Sequence, residues 1–352
     1  MTRQAASNPP SAEPLTLVLS RQDSARLLAL PDCIDAVEEA FRLHAAGMTV
    51  PPAVLGVHLP MGGIHIKTAG LTGDRPLFAA KINANLPGNP ERHGLPTIQG
   101  VIVLFNTENG LPLAVLDSIE ITSRRTAAAT AVAAKYLARP DARTVTVCGC
   151  GEQGRSQLRA LALVRELRTV FAYDQAVDRA ERYAEEMAAE LGLEVLPVRD
   201  LRAATLDSDV CVACTTARRF ILERSQIAPG SFIAGVGADH PEKQELDPAL
   251  LASSTVVADH LEQCATIGDL HHAIDAGLMS REDVHAELAE IVAGRKPGRR
   301  SAEEIIVFDS TGTALQDVAA AALVYHKAVA GGFGLPVALG SASPPSATRV
   351  PA

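Results

Sequence analysis

The sequence predicts an α/β protein in which a doubly wound parallel sheet is joined to a second, α+β unit. Three observations predict it. From about residue 144 onward, strand-like and helix-like segments alternate, as repeated βα units do. The stretch TVTVCGCGEQG, 144 to 154, sets three glycines spaced G-x-G-x-x-G between a β-branched run and a helical segment. Before this point the texture differs, with short β-leaning runs separated by Pro and Gly. A chain of 352 residues is long enough for two such units, each with its own core.

Residues 23 to 48 carry helical periodicity, with apolar positions at Ile34, Val37, Phe41 and Leu43 and a stop at Gly47. Runs 54 to 59, 63 to 69 and 78 to 83 read as strands. Runs 98 to 106 and 111 to 117 flank TENG and read as a hairpin. RRTAAATAVAAKYLA is an Ala-rich helix that stops at Arg139-Pro140. The βα units that follow use TVTVCG, RTVFAYD, LEVLPV, SDVCVACT, SFIAGVG, STVVADH and IIVFDS as strands. SREDVHAELAEIVAG reads as one helix, and the last helix, TALQDVAAAALVYHKAVAGG, returns to the first unit. The expected division is a first α+β unit of 15–125 plus 313–336, and a βα unit of 126–312. Polar tails, 1–14 and 337–352, are expected to be disordered.

Composition narrows the function. A net charge of −9 argues against a nucleic-acid backbone as partner, which calls for a basic face. No run of about 18 apolar residues predicts a membrane span, and the N-terminus lacks an apolar signal core, so a cytoplasmic protein is expected. Of the six cysteines, Cys211 and Cys214 form C-x-x-C, but no second Cys or His pair stands at zinc-like spacing; they read as small buried thiols, and no metal is expected.

The glycine turn has two readings: a tight βα connection, or a phosphate cradle. In the second, Gly149 permits the turn, Gly151 lets backbone approach a pyrophosphate, and Gly154 lets the helix lie close to the strand. The helix N-terminus offers free N–H groups and positive potential. The next strand ends at Asp174, twenty residues after Gly154, where an acid would accept hydrogen bonds from ribose hydroxyls. That register favours the cradle. Asp174 would repel a 2′-phosphate, so NAD is expected, with NADP possible. Glu152 and Gln153, inside the turn, and Thr215, Val236 and Gly237, at later strand ends, complete the candidate cofactor set there.

Several segments in order carry a wider resemblance: KINANLPGNPERHGLPTIQGVIVLF, LAVLDSIEITSRRTAAATAVAAKYLA, the glycine turn, GVGADHPEKQEL and VFDSTGTALQD. Over about 15 to 333 the chain resembles the ornithine cyclodeaminase/mu-crystallin family. The resemblance implies a Rossmann-type NAD(P) domain, a second domain that dimerises through its sheet, and a small amino or imino acid as substrate. It implies that Lys81 binds substrate and handles a proton, that Arg125 grips the substrate carboxylate, and that Asp239 is an acid/base beside the nicotinamide. Ser310 and Gly312 would line the nicotinamide end. From residue type alone, Arg125 also reads as a helix-terminal ion-pair partner and Lys81 as a solvated strand residue. The chemistry suits the site reading: Arg holds a carboxylate bidentately, and Lys is a compact charge.

Departures from the cyclodeaminase pattern are informative. VPPAVLGVH lacks the arginine expected there, and GGIHIKTAGL places His65 near a glutamate position and Lys67 near a methionine. Lys67 is expected to replace the missing arginine as a second carboxylate anchor, with His65 two residues away on the same strand face. His65 reads equally as a half-buried, backbone-bonded histidine. Thr97 and Gln99 are further pocket candidates. The expected function is an NAD(P)-dependent oxidoreductase interconverting an amino acid and its imino acid. The alternatives are a cyclodeaminase that releases ammonia and a non-enzymatic ligand binder.

Overall fold

The computed structural model describes residues 15–339. The first segment contains β1 (Thr16–Leu19), α1 (Arg21–Leu27), α2 (Leu30–Ala45), β2 (Thr49–Leu59), β3 (Gly62–Leu71), β4 (Leu77–Asn85), α3 (Asn89–His93), β5 (Ile98–Asn106), β6 (Pro112–Asp117) and α4 (Ile119–Leu137). The predicted helical stretch 23 to 48 is thus two helices. The second opens with Pro31 in its first turn, where the missing N–H has no intrahelical acceptor to lose. Strands β2 to β6 form an antiparallel meander, and TENG is the hairpin turn as expected. β1 adds to β6 in parallel.

The second segment alternates regularly: β7 (Thr144–Cys148), α5 (Glu152–Val164), β8 (Thr169–Tyr173), α6 (Val177–Leu191), β9 (Glu194–Pro197), α7 (Leu201–Leu206), β10 (Val210–Ala213), β11 (Arg218–Leu222) and β12 (Phe232–Gly235). Then come β13 (Gln244–Leu246), α8 (Pro248–Ala252), β14 (Thr255–Ala258), α9 (Leu261–Ile267), α10 (Asp269–Asp275), β15 (Ala286–Glu287), α11 (Leu288–Val292) and β16 (Ile306–Asp309). Eight of these strands make a parallel sheet in the order β15-β14-β16-β12-β10-β7-β8-β9. The strand order reverses direction between β7 and β10, the crevice where doubly wound folds bind ligands.

SREDVHAELAEIVAG is not one helix. Asp283 accepts from the backbone and hydroxyl of Ser280 and closes a single turn, and His285 then bonds to Val256 at the sheet edge. Helix formation restarts only at Glu287, which caps α11 reciprocally with Glu290.

The chain closes with α12 (Ala314–Gly331) and β17 (Leu335–Val337). As the sequence suggested, α12 returns to the first sheet and packs on β3, β4 and β5. β17 pairs antiparallel with β1, and Val337, expected to begin a disordered tail, is in register with Thr16. The predicted tails 1–14 and 340–352 lie outside the described residues. α4 is the central helix. Its Ala127, Ala128, Ala131 and Ala134 are fully buried, and these small side chains let α2 and α5 lie close to it.

Candidate active site

The glycine turn connects β7 to α5. Gly149 adopts φ +103°, a conformation L side chains rarely take, and a Cβ there would stand 2.9 Å from the Cys214 carbonyl. At Gly154 a Cβ would lie 2.2 Å from the Gly149 carbonyl, so helix and turn touch through backbone. A Cβ on Gly151 would meet only open space. No side chain caps α5 at Gly151. The helix therefore starts with free N–H groups beside a cavity of about 440 Å³, lined by Gly149, Gly151, Asp174, Arg179, Thr215 and Arg218. An uncapped helix start, an open glycine and a strand-end acid are what a dinucleotide's phosphates and ribose call for, so these residues fit the cofactor.

Asp174 is already ordered: one carboxylate oxygen accepts from Cys150 N–H and the other from Ala176 N–H, both at 3.0 Å. Arg179, given no role from the sequence, comes to 3.7 Å from Asp174. Arg218 is a second cation on the same wall. Their signal was weak because Arg179 lies past a loop and Arg218 opens a short strand that periodicity does not resolve. Glu152 is exposed and Gln153 turns toward the Ser123 carbonyl, so neither side chain lines this cavity.

Three further loops are tied together by buried carboxylates. Glu245 accepts from Thr215 N–H and Oγ1–H and from Gly237 N–H. Asp269 accepts from Glu245 and Leu246 N–H, and Asp309 from Leu270 and Asp269 N–H. Burial, with Asp269 adding to it, raises Glu245 to about 7; burial raises Asp269 to about 6; burial and Asp269 raise Asp309 well above the carboxylate range. Val236, beside Gly237, is held by Ala213 O and is partly buried. Asp259 accepts from Ser310 Oγ–H, Thr311 Oγ1–H and Gly312 N–H, which fixes the loop after β16. Nothing in the sequence marks these acids as buried.

A larger cleft, about 730 Å³, opens between β2, β3 and the loop after β12; Lys67, His65, Asn85, Thr97, Asp239 and Lys243 are in its lining. Gln99 is not. Lys67 and Lys81 are direct partners across β3 and β4, so both project from one face of the sheet toward α12. Lys67 donates to the Thr311 and Gly312 carbonyls, each at 2.9 Å. Lys81 lies 2.7 Å from Asp317, and Arg125 Nε donates to the same carboxylate at 2.8 Å. Arg125 also donates to Gln316 at 2.7 Å and lies beneath Gly312, whose φ of +74° and closeness to the guanidinium leave no room for a Cβ.

Lys81 and Arg125 therefore converge, as expected, but on a carboxylate of the protein that the sequence reading did not single out. Burial would raise the Asp317 pKa, but Arg125 and Lys81 outweigh it and lower it. Burial and the Arg125 charge bring Lys81 down to about 7 and push Lys67 down as well. Two cations around one anion leave a positive surplus, and Thr313 Oγ1 and Gln316 Nε2 at the start of α12 have no partner among the described residues.

Asp239 lies in the cleft wall, enclosed by protein yet reached by solvent. Its carboxylate is 2.6 Å from Lys243. Burial opposes ionisation, but Lys243, Lys67 and His65 together lower it to about 2. His65 stacks on His240 with rings 9° from parallel and 6.0 Å apart, and burial lowers its pKa. Arg124, next to Arg125, bonds to the Ala25 and Leu28 carbonyls and holds α1 to α4. Among the described residues no group of His, Cys, Asp or Glu is arranged to hold a metal, and no helix is long and apolar enough to cross a membrane.

The model of the ornithine cyclodeaminase/mu-crystallin family matches residues 15–332. An alanine dehydrogenase of Archaeoglobus fulgidus is 38% identical over 322 residues, 91% of this chain and 97% of that protein. A solved archaeal alanine dehydrogenase dimer with bound NAD superposes with a TM-score of 0.88 at 37% identity, covering 92% of this chain and 99% of that one. The Δ1-pyrroline-2-carboxylate reductase of Thermococcus litoralis, in complex with NADH and L-proline, also gives 0.88, at 35% identity, with 92% and 100% covered.

Proposed function

This chain belongs to the ornithine cyclodeaminase/mu-crystallin family, and from that premise we propose that it is an NAD(P)-dependent oxidoreductase interconverting a small L-amino acid and its imino acid. The observation that carries the reading is a continuous path. The cavity at the glycine turn and the cleft over Lys67 share Thr216 and Arg218 in their walls. A dinucleotide lying from one to the other would bring its nicotinamide end to the cationic floor. The relatives named above, a dehydrogenase and a reductase, support the same class.

Gly149 and Gly151 would let the backbone approach the pyrophosphate, Gly154 keeps α5 close to the turn, and Asp174 would hold the adenosine ribose. When bound, the cofactor supplies hydride exchange at nicotinamide C4. The protein's part is placement. The surplus charge of Lys67, Lys81 and Arg125 neutralises an α-carboxylate and so aligns Cα with the hydride carrier. Asp239 and His65 stand where an amino or imino nitrogen could be contacted. Asp174 favours NAD, and Arg179 beside it leaves NADP possible.

We further read the chain as a homodimer. The sheet face opposite α12 carries Val18, Ile82 and Val101, each between 38% and 39% exposed, an uncovered apolar surface. Following NADH absorbance with 1-pyrroline-2-carboxylate, with pyruvate plus ammonium and with L-amino acids tests the function. Net NADH change identifies the oxidoreductase; ammonia release from ornithine without net change would identify a cyclodeaminase, and tight ligand binding without turnover a binder.

A further inference from the structure

We infer that Lys67 is the proton donor to the imino nitrogen during reduction, and the acceptor in reverse; this rests on the oxidoreductase reading above. The argument is geometric. A lysine ammonium has three N–H bonds, and the neutral amine keeps two. Lys67 gives two to the carbonyls of Thr311 and Gly312, both at 2.9 Å. Those carbonyls do not drift, because Asp259 fixes Gly312 N–H at 2.8 Å and the Thr311 hydroxyl at 3.1 Å. Both protonation states can therefore keep both bonds. What changes is the third tetrahedral position, an N–H in one state and a lone pair in the other. Lys67 is part of the cleft lining, so that position is the one left for a ligand. From the sequence Lys67 is expected to be a second carboxylate anchor; with one open position it serves the imino nitrogen instead.

The other groups at the cleft are less suited. Asp239 is held as a carboxylate by Lys243 at 2.6 Å and has no proton to give near neutrality. Lys81 is bound to Asp317 and is not in the lining. His65 is stacked on His240, and burial lowers its proton affinity. The charged groups around Lys67 come from every neighbouring element: Lys81 on β4, Arg125 on α4, Asp317 on α12, and Asp239 and Asp259 in the loops after β12 and β14. Burial and Arg125 lower its proton affinity against the pull of the three acids. That moves it toward the working range of an acid–base catalyst.

In the reductive step the imino carbon takes the hydride of the reduced nicotinamide while the imino nitrogen takes the Nζ proton. C=N becomes C–N, the nicotinamide is left oxidised, and Lys67 is left as a neutral amine that regains a proton from water.

The test uses the full-length protein with NADH and 1-pyrroline-2-carboxylate, or whichever imino acid of the panel above turns over. Lys67→Arg keeps a charge and two donors but cannot release a proton near neutrality. It should bind NADH normally by fluorescence and keep KM within about threefold, while kcat falls roughly 100-fold or more. Lys67→Ala should regain rate with ethylamine added. A Lys67→Arg enzyme that loses only KM, or loses nothing, overturns the proton-donor role and leaves the oxidoreductase reading intact. Should Lys67→Arg fail to bind NADH, the Ala variant decides: no rescue by amine in NADH-binding protein overturns the role. Absence of turnover by the wild type with every imino acid overturns both readings.

Discussion

Two buried charge clusters lie inside the protein, and they are neutralised by different means. Around Asp317, Lys81 and Arg125 crowd one carboxylate from two elements, and the result is net positive. Around Asp269, the carboxylates of Glu245, Asp269 and Asp309 form a chain whose hydrogen-bond donors are backbone N–H groups and one threonine hydroxyl. Among the described residues no Lys or Arg bonds to them. The first cluster is left incomplete in a way that an anionic ligand completes. In the second, protons and peptide N–H groups take the place of cations, and Asp269 Oδ2 has no partner among the described residues. Charge is thus unbalanced where substrate is expected and balanced where the acids only tie loops.

The comparison breaks most readily at Asp317. Asp317→Ala leaves two buried cations without their anion and should cost about 3–5 kcal/mol in urea unfolding. A variant as stable as wild type would show that solvent already screens this cluster.

Glu245 comes next. Glu245→Gln turns one acceptor oxygen into a donor facing N–H groups and should cost roughly 1–3 kcal/mol. It should also change the pH dependence of stability. Glu245 is raised from 4.5 to about 7 and Asp269 from 3.8 to about 6, so the folded state holds their protons more tightly. Their contribution is present below about pH 4 and is lost as pH rises to 7. Lys81 is lowered from 10.5 to about 7; its contribution is present above 10.5 and lost as pH falls to 7. Thermal melts should therefore show opposite slopes on the two sides of neutrality. Glu245→Gln should flatten only the acid side; flattening of both would mean that the clusters are coupled.

A milder test concerns the glycine turn. Gly151→Ala meets no protein atom within 4 Å, so the fold should be unaffected while NADH binding weakens about tenfold, or ~1.4 kcal/mol. The smallest effect is expected at Asp174. Asp174→Ala should narrow the preference for NAD over NADP by a few-fold, because Arg179 remains beside the ribose position; comparing the two dissociation constants checks it.

What the sequence revealed divides along the same line. The glycine turn, the acid at Asp174 and the alternating βα units are local patterns, and they were readable because spacing along the chain determines them. Asp317 was not readable, since it meets Arg125 across 192 residues and Lys81 across 236. An aspartate in the first turn of a helix ordinarily reads as a solvated cap. The partners of Lys67 are peptide carbonyls, which carry no residue identity at all. Strands β1, β11, β13 and β17 have three to five residues each, too few for alternation to register.

The return of α12 to the first sheet has a consequence for biosynthesis. Lys67 and Lys81 emerge from the ribosome well before the helix that carries Asp317 and covers their sheet, since Asp317 follows Lys81 by 236 residues. Until then two lysines and an apolar sheet face lack their cover, and the whole nucleotide-binding unit must be made in between. A nascent chain stalled before residue 314 should be a substrate for chaperones even if its nucleotide-binding half has already folded.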